Sequence, residues 1–191
     1  MRFNSKTLSG LTVAAVMAIL AVTTPAKSEI KKIMLDCGGK LCPYLQASVT
    51  IPKGWQEDKA ASREKKMQIL VPVGKTFSNA GAIIYAAVEY NAAKTPIATL
   101  VEQDHANWRK KTADVKIERL PDVAHASVGE PFLHYQFEMP SRKSQPFERV
   151  ASTSDTDNDN NAFLVAIVLT AMSKKALRDT EPAYLTILKS Y

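Results

Sequence analysis

The stretch that decides the fold is Ala82-Ile-Ile-Tyr-Ala-Ala-Val-Glu-Tyr90, followed shortly by Thr95-Pro-Ile-Ala-Thr-Leu-Val-Glu-Gln-Asp-His-Ala-Asn-Trp108. The first segment is rich in β-branched and aromatic residues and carries apolar side chains on both faces of a period-two pattern, which is typical of a strand. In the second segment Ile97, Leu100 and Trp108 recur at helical spacing. Because an apolar helix stripe must be buried, this change of period predicts a helix that lies on a sheet.

The helix has start and stop signals. Thr95 is placed to cap its N-terminus, and Pro96 can open its first turn because an N–H at that position has no helical partner to lose. Lys110 and Lys111 favour the C-terminal end, where positive charge complements the helix dipole. These residues predict a helix from about residue 95 to residue 111.

A second helix is predicted at the end of the chain, starting near Thr180 with Glu181 and Pro182 in its first turn. One stripe of this helix is apolar and comprises Tyr184, Leu185, Leu188 and Tyr191.

Short strands precede and follow the first helix. They are predicted, besides 82–90, at residues 29–35, 45–51, 67–71, 115–120, 134–138, 147–154 and 162–169. Runs of strands separated by single helices are typical of α+β proteins and not of parallel βαβ units. We therefore expect an α+β fold with a largely antiparallel sheet of about six to seven strands, covered by two main helices.

The N-terminus has the three parts of a secretory signal peptide. Arg2 and Lys6 provide a positive start, and residues 11–22 form an apolar run. Ala26-Lys27-Ser28 then places small side chains where a signal peptidase reads, so cleavage before Glu29 is expected. The alternative is a retained membrane anchor, but a helix of that run spans only about 18 Å of a hydrocarbon core about 30 Å thick.

Removal of residues 1–28 would leave residues 29–191, a length that suits a single α+β domain. It would lower the number of basic residues from 25 to 22 against 19 acidic ones, and so the formal net charge from +6 to +3. Such a weakly basic chain is not expected to bind nucleic acid. Since no second apolar run of membrane-spanning length follows, we expect a periplasmic or secreted protein without a transmembrane span.

The sequence resembles the PsbP/Mog-type superfamily, which includes DcrB-like bacterial envelope proteins. The resemblance is carried by Ile51-Pro-Lys-Gly-Trp55 after an early strand, by the order of helix and strands, and by the terminal Tyr184-Leu-Thr-Ile-Leu-Lys-Ser-Tyr191. It extends over nearly all of residues 29–191 and implies an antiparallel sheet between helices, an α/β/α sandwich. It implies no reaction, because these relatives are mostly accessory or binding proteins and a fold does not determine a function.

The two cysteines, Cys37 and Cys42, both lie beyond the signal peptide. An even pair in an exported chain is most often a disulfide, and the two glycines between them permit a close approach. The alternative is a redox-active dithiol, which usually has two intervening residues and lies at a helix N-terminus. The longer spacing, and Pro43 directly after the second cysteine, favour a structural disulfide.

Asp155-Thr-Asp-Asn-Asp159-Asn-Asn161 has oxygen ligands at the first, third and fifth positions of a calcium-binding loop, the third being Asp157. The match ends there, because the twelfth position is Ala166 where a bidentate glutamate belongs. Asp and Asn also stabilise turns through bonds from side chain to backbone. The sequence therefore favours a polar turn between two strands, with a calcium site as the alternative.

No further chemistry can be assigned from spacing. His105, His125 and His134 have none of the spacings of zinc sites, and no nucleophile elbow or phosphate-binding loop is present. We therefore predict no catalytic residue, cofactor or metal ligand. The charged residues 57–66 are of mixed sign, which favours a loop or short helix over a basic patch for an anionic partner.

These observations predict a non-catalytic accessory or binding protein of the periplasm, whose partner is another protein or an envelope component. One alternative is an envelope hydrolase or other enzyme whose site is assembled only in the fold. A cavity that holds a histidine beside a serine or a carboxylate would favour it. A weaker alternative is a calcium-dependent binding module.

Overall fold

The computed structural model describes residues 29–36, 38–126, 129–157 and 159–191. Within these residues lie nine strands and three helices. The strands are β1 (Glu29–Asp36), β2 (Leu41–Ser48), β3 (Trp55–Glu57), β4 (Gln68–Pro72), β5 (Ala82–Tyr90), β6 (Lys116–Arg119), β7 (Leu133–Glu138), β8 (Phe147–Thr156) and β9 (Ala162–Ala171). The helices are α1 (Lys59–Lys65), α2 (Ile97–Lys111) and α3 (Lys174–Ser190).

Two predictions fall outside this part of the chain. The signal peptide, residues 1–28, is not among the described residues, and neither are Cys37 and the side chain of Cys42. The cleavage site and the disulfide therefore stay predictions. Among the described helices, none combines the length and the apolar composition that a membrane span requires.

Seven strands form one sheet in the order β3-β4-β5-β9-β8-β7-β6, and every neighbouring pair is antiparallel. β3 to β5 form one meander and β6 to β9 form another, and the two meet where β5 pairs with β9. Helix α2 connects β5 to the far edge strand β6 and so crosses the second meander. The α+β prediction and the predicted number of strands are confirmed.

The two main helices cover opposite faces of this sheet, as the alternation along β9 shows. Val165 and Ile167 belong to the core that contains Tyr184 of α3. Ala166 and Val168 point to the other side, into a cavity under α2. Since successive side chains of a strand point to opposite faces, the sheet lies between α2 and α3.

Helix α3 begins earlier than the sequence predicts, at Lys174 and not near Thr180. Ser173 provides the N-cap, because its Oγ accepts a hydrogen bond from the N–H of Ala176 at 3.1 Å. Pro182 therefore lies inside the helix and not in its first turn. Burial of the apolar stripe in the core outweighs the helix-breaking preference of this proline.

The predicted cap of α2 is wrong. Pro96 occupies the N-cap position, and no side chain caps the helix. Thr95 belongs instead to a turn organised by Asn91, whose Oδ1 accepts from the Thr95 N–H at 2.9 Å and whose Nδ2 donates to the Thr95 carbonyl at 2.8 Å. The Asn91 side-chain amide, and not the Thr95 hydroxyl, thus makes the side-chain hydrogen bonds that organise the turn between β5 and α2.

The second strand is displaced from its predicted position at 45–51. β2 starts at Leu41 because it forms a hairpin with β1, and this hairpin is a sheet of its own. Residues beyond Ser48 are held differently, since Oε1 of Gln68 accepts from the N–H of Val49 at 2.7 Å. A side chain of β4, and not a strand partner, thus fixes the chain after β2.

Candidate functional site

A cavity of about 220 Å³ lies between α2 and the sheet face opposite α3. Its lining is mainly apolar and aromatic and comes from α2 and from strands β5, β7, β8 and β9. Six of the lining side chains carry a hydroxyl, carboxylate or imidazole group: Tyr85, Asp104, His105, Tyr135, Glu148 and Ser152. Mainly apolar walls with a few polar groups are the usual composition of a small-molecule site.

The regular geometry of the elements brings these side chains together. On β8, Glu148 and Ser152 are separated by an even number of residues and therefore share the α2 face of the sheet. On α2, Asp104 and His105 fall three and four residues after Val101, which places them on the stripe that faces the sheet. The helix stripe that the sequence presents as apolar thus carries two titratable groups.

Glu148 is the most deeply buried carboxylate of the cavity, with 5% of its surface exposed. Its Oε1 accepts a hydrogen bond from Nη1 of Arg142 at 2.9 Å. Burial raises the pKa of Glu148, and the Arg142 guanidinium opposes that rise. The carboxylate is thus partly compensated by one cation, through one of its two oxygens.

Arg142 reaches the cavity from the loop between β7 and β8. Its Cζ lies 5.8 Å from the centre of the Trp108 ring, close enough for a cation–π contact. Asp114 anchors the loop, because its two carboxylate oxygens accept from the backbone N–H and the hydroxyl of Ser141 at 2.8 and 2.7 Å. The guanidinium is therefore held at the rim of the cavity, between a carboxylate and an aromatic face.

The other two acidic groups of the cavity are also perturbed by burial. Burial raises the pKa of Asp104, and the neighbouring His105 and a hydrogen bond from Trp108 oppose the rise. Burial raises the pKa of the Tyr85 hydroxyl well above its usual range, and the Glu148 carboxylate raises it further. Tyr85 therefore keeps its proton at every physiological pH.

His105 is packed as a core residue. It is 3% exposed, and its ring centre lies 4.5 Å from that of Tyr135 and 5.5 Å from that of Phe137. Burial lowers the pKa of His105, so the ring is neutral near pH 7. Its Nδ1 is 3.6 Å from Oε1 of Glu102, and no described hydrogen bond joins it to Ser152. The cavity thus holds a histidine and a serine without a hydrogen-bonded pair of nucleophile and base.

The predicted polar turn between β8 and β9 is confirmed. Oδ1 of Asp157 accepts from the N–H groups of Asp159 and Asn161 at 3.0 and 2.9 Å, and its Oδ2 accepts from Nδ2 of Asn161 at 2.8 Å. Oδ2 of Asp155 accepts from the Tyr191 hydroxyl at 2.7 Å. These bonds direct the Asp155 and Asp157 carboxylates to the protein itself. Among the described residues, no group of three His, Cys, Asp or Glu side chains is arranged to hold a metal ion.

The remaining histidines lie away from the cavity. His134 is on the opposite sheet face, where its ring centre is 5.7 Å from that of Tyr184. Its Nε2 has no hydrogen-bond partner within the described part of the chain. Burial, with help from the Arg149 guanidinium, lowers the pKa of His134 to about 4. His125 instead packs edge-on against Phe132, at 5.1 Å. The three histidines thus occupy three separate environments.

No protein-family model matches the chain, and no curated protein matches it significantly. The PsbP/Mog-type relationship therefore stays a proposal carried by residues 51–55 and 184–191 and by the order of the elements.

Proposed function

We propose that this chain is an exported, non-catalytic binding protein whose ligand site is the cavity between α2 and the sheet. The supporting observation is the cavity's composition, since apolar and aromatic walls surround a buried carboxylate, Glu148, and a buried imidazole, His105. A space of about 220 Å³ with converging polar side chains is better suited to a ligand than to stability. A binding role also agrees with the proposed PsbP/Mog-type relationship, and the predicted signal peptide supports a location in the bacterial envelope.

The polar groups support binding over a structural role. The ion pair of Arg142 and Glu148, in which only Glu148 is buried, contributes little net stability, since apolar side chains often replace such pairs without loss. A buried carboxylate that borders an open space lowers the stability of the fold, so stability alone gives no reason to keep it. The same arrangement gives a ligand a directional partner in a water-poor site, where hydrogen bonds are strong.

Filling the cavity tests this proposal. Ala166 lines the cavity from the sheet, so Ala166→Leu fills part of its volume. Ala106→Leu makes the same change on the exposed side of α2 and serves as the control. We expect that, in a survey of small metabolites by thermal shift and calorimetry, at least one compound binds the wild type and Ala106→Leu but not Ala166→Leu. Ligands that bind all three proteins equally would place the binding site elsewhere.

A second candidate function is a hydrolase that uses the same cavity, because His105 and Ser152 both line it. Turnover of an ester or amide substrate by the purified protein, lost in Ser152→Ala, would favour this function. Binding without turnover, retained in Ser152→Ala, would favour the binding protein.

A further inference from the structure

The cavity carries more negative than positive charge. Glu148 and Asp104 contribute two carboxylates, and Arg142 contributes one cation, bonded to Oε1 of Glu148. Oε2 of Glu148 is left for a second donor, and the neutral ring of His105 adds no charge. Asp104 is an exposed residue at the edge of the cavity, whereas Glu148 is buried and only partly compensated by Arg142, so a cation bound at its second oxygen would lower the energy of the site.

A buried hydroxyl next to Glu148 also lacks a partner. Thr170 is 2% exposed, and its Oγ1 makes no hydrogen bond within the part of the chain that the structure describes. Thr170 is the register partner of Glu148 across the β8–β9 pair, so the two side chains lie side by side on the α2 face. Tyr85, on β5, lies on the same face of the sheet and lines the same cavity as Glu148, two strands away.

These oxygen acceptors are complementary to a positively charged ligand group that carries several hydrogen-bond donors. An ammonium group has three donors and no acceptor. The cavity lining offers it the oxygens of Glu148 and Tyr85, and the Thr170 hydroxyl lies behind the lining, next to Glu148 in the sheet register. Arg142 already shows that this corner of the protein accommodates a cation between a carboxylate and the Trp108 ring. A carboxylate combined with aromatic faces is the usual recognition element for organic cations.

The volume limits the rest of the ligand. An apolar cavity of about 150 Å³ holds benzene, so about 220 Å³ accommodates a ring or short branched chain with a two- or three-atom amine arm. The apolar part would contact the side chains of Leu100, Leu164 and Val168. A larger organic cation would not fit without movement of α2.

We propose that the cavity binds a small primary amine, with its ammonium group on Glu148 and Thr170 and its apolar group between α2 and β9. This proposal rests on the proposed function, since it assigns the ligand class of the same cavity. It identifies Glu148 as the specificity-determining residue and the Thr170 hydroxyl as a second hydrogen-bond acceptor for the ammonium group.

Three probes of similar size test the ligand class: 2-phenylethylamine, the neutral 2-phenylethanol and the anionic phenylacetate. We expect calorimetry to show that the wild type binds the amine at least about tenfold more tightly than the alcohol, because a hydrogen bond to a charged group is the stronger one. Glu148→Gln, which keeps the shape, should abolish this preference. Glu118→Gln, an exposed carboxylate on β6, should leave it unchanged.

Thr170→Val provides a second variant in which folding is preserved, since it removes a hydroxyl that has no partner. It should weaken amine binding several-fold and leave alcohol binding unaltered. Equal binding of amine and alcohol by the wild type, or unchanged amine binding by Glu148→Gln, would overturn the proposal. One outcome separates this proposal from the proposed function. If no amine binds but another compound binds and Ala166→Leu blocks it, the proposed ligand class is wrong and the proposed binding function of the cavity stands. If ligands bind and Ala166→Leu has no effect on their binding, both proposals are wrong.

Discussion

Nη1 of Arg142 lies 2.9 Å from Oε1 of Glu148, and this contact joins a loop at the rim of the sheet to a carboxylate that is 5% exposed. The contact is the main compensation for a charge that the fold places between Phe137 and Thr170, its register partners on the two neighbouring strands. Loss of the Arg142 side chain should therefore destabilise the protein mainly by leaving the Glu148 carboxylate buried without a cation, and less by loosening the loop.

We expect Arg142→Met to lower the free energy of unfolding by about 2 kcal/mol. Breaking a fully buried ion pair costs about 3–5 kcal/mol, and the cost here is smaller because the Arg142 side chain is 38% exposed. Adding Glu148→Leu should restore most of the stability, because the unpaired carboxylate is then absent. Urea unfolding of both single variants and the double variant measures the coupling. Additive losses would show that the two side chains do not interact energetically.

His134 should make the protein sensitive to acid. Its pKa is lowered to about 4 by burial and by Arg149, whereas the unfolded chain binds the proton near pH 6.5. The unfolded state thus holds more protons between these values, and stability falls as the pH drops from about 6.5 towards 4. The loss from this residue should reach about 2 kcal/mol at pH 4.5.

His134→Phe tests this prediction. The phenyl ring keeps the packing on Tyr184 and removes an Nε2 that has no described partner, but it also removes the hydrogen bond of the ring to the Pro121 backbone. We expect the variant to be slightly less stable than the wild type at pH 7, by about 1 kcal/mol, and less sensitive to pH between 6.5 and 4.5. An unchanged pH dependence in urea unfolding would show that His134 is not the cause of the acid sensitivity.

Pro182 should limit the stability of α3. It lies inside the helix with an exposed side chain, where it supplies no N–H to the preceding turn. Pro182→Ala should raise the free energy of unfolding by about 1–2 kcal/mol, less than the full helix propensity difference because the unfolded chain also gains freedom. Thr186→Ala, which removes a hydroxyl bond to the Pro182 carbonyl at 2.8 Å, serves as a comparison and should have a smaller effect. A Pro182→Ala variant that melts lower than the wild type would contradict this account.

The export prediction concerns the chain terminus. Protein recovered from the envelope fraction of an expressing bacterium should have Glu29 as its first residue, by intact mass and N-terminal sequencing. Replacing both small residues, Ala26 and Ser28, by larger ones should block processing. A full-length chain in the wild type would favour the retained anchor.

Much of the fold could be predicted from the sequence, because turn residues and period-two patterns mark the strands locally. β5 has the predicted bounds, Ala82–Tyr90, and the α+β class followed from the order of the elements. The start of α3 could not be predicted, since Pro182 imitates a first-turn proline and only tertiary packing carries the helix through it. The hairpin register of β2 likewise depends on β1 and not on local preference.

The cavity was beyond prediction for a different reason. Its polar groups come from three elements that are distant in the chain, with Tyr85 on β5, Asp104 on α2 and Glu148 on β8. One signal was available: Asp104 and His105 interrupt the otherwise apolar stripe that contains Val101. His105 is buried, and a buried titratable group on a helix marks a place where packing alone does not explain the sequence.

The pairing of β5 with β9 has a consequence for how the chain matures. These strands join along the whole of Ala82–Tyr90, yet β9 is the last strand to be synthesised. The two meanders cannot close into one sheet until residue 171 is available, and pairings between distant segments form slowly. The complete sheet should therefore form only when most of the chain has been made. A polypeptide with this delay stays incompletely folded for longer, and passage through a membrane translocation channel requires an unfolded chain.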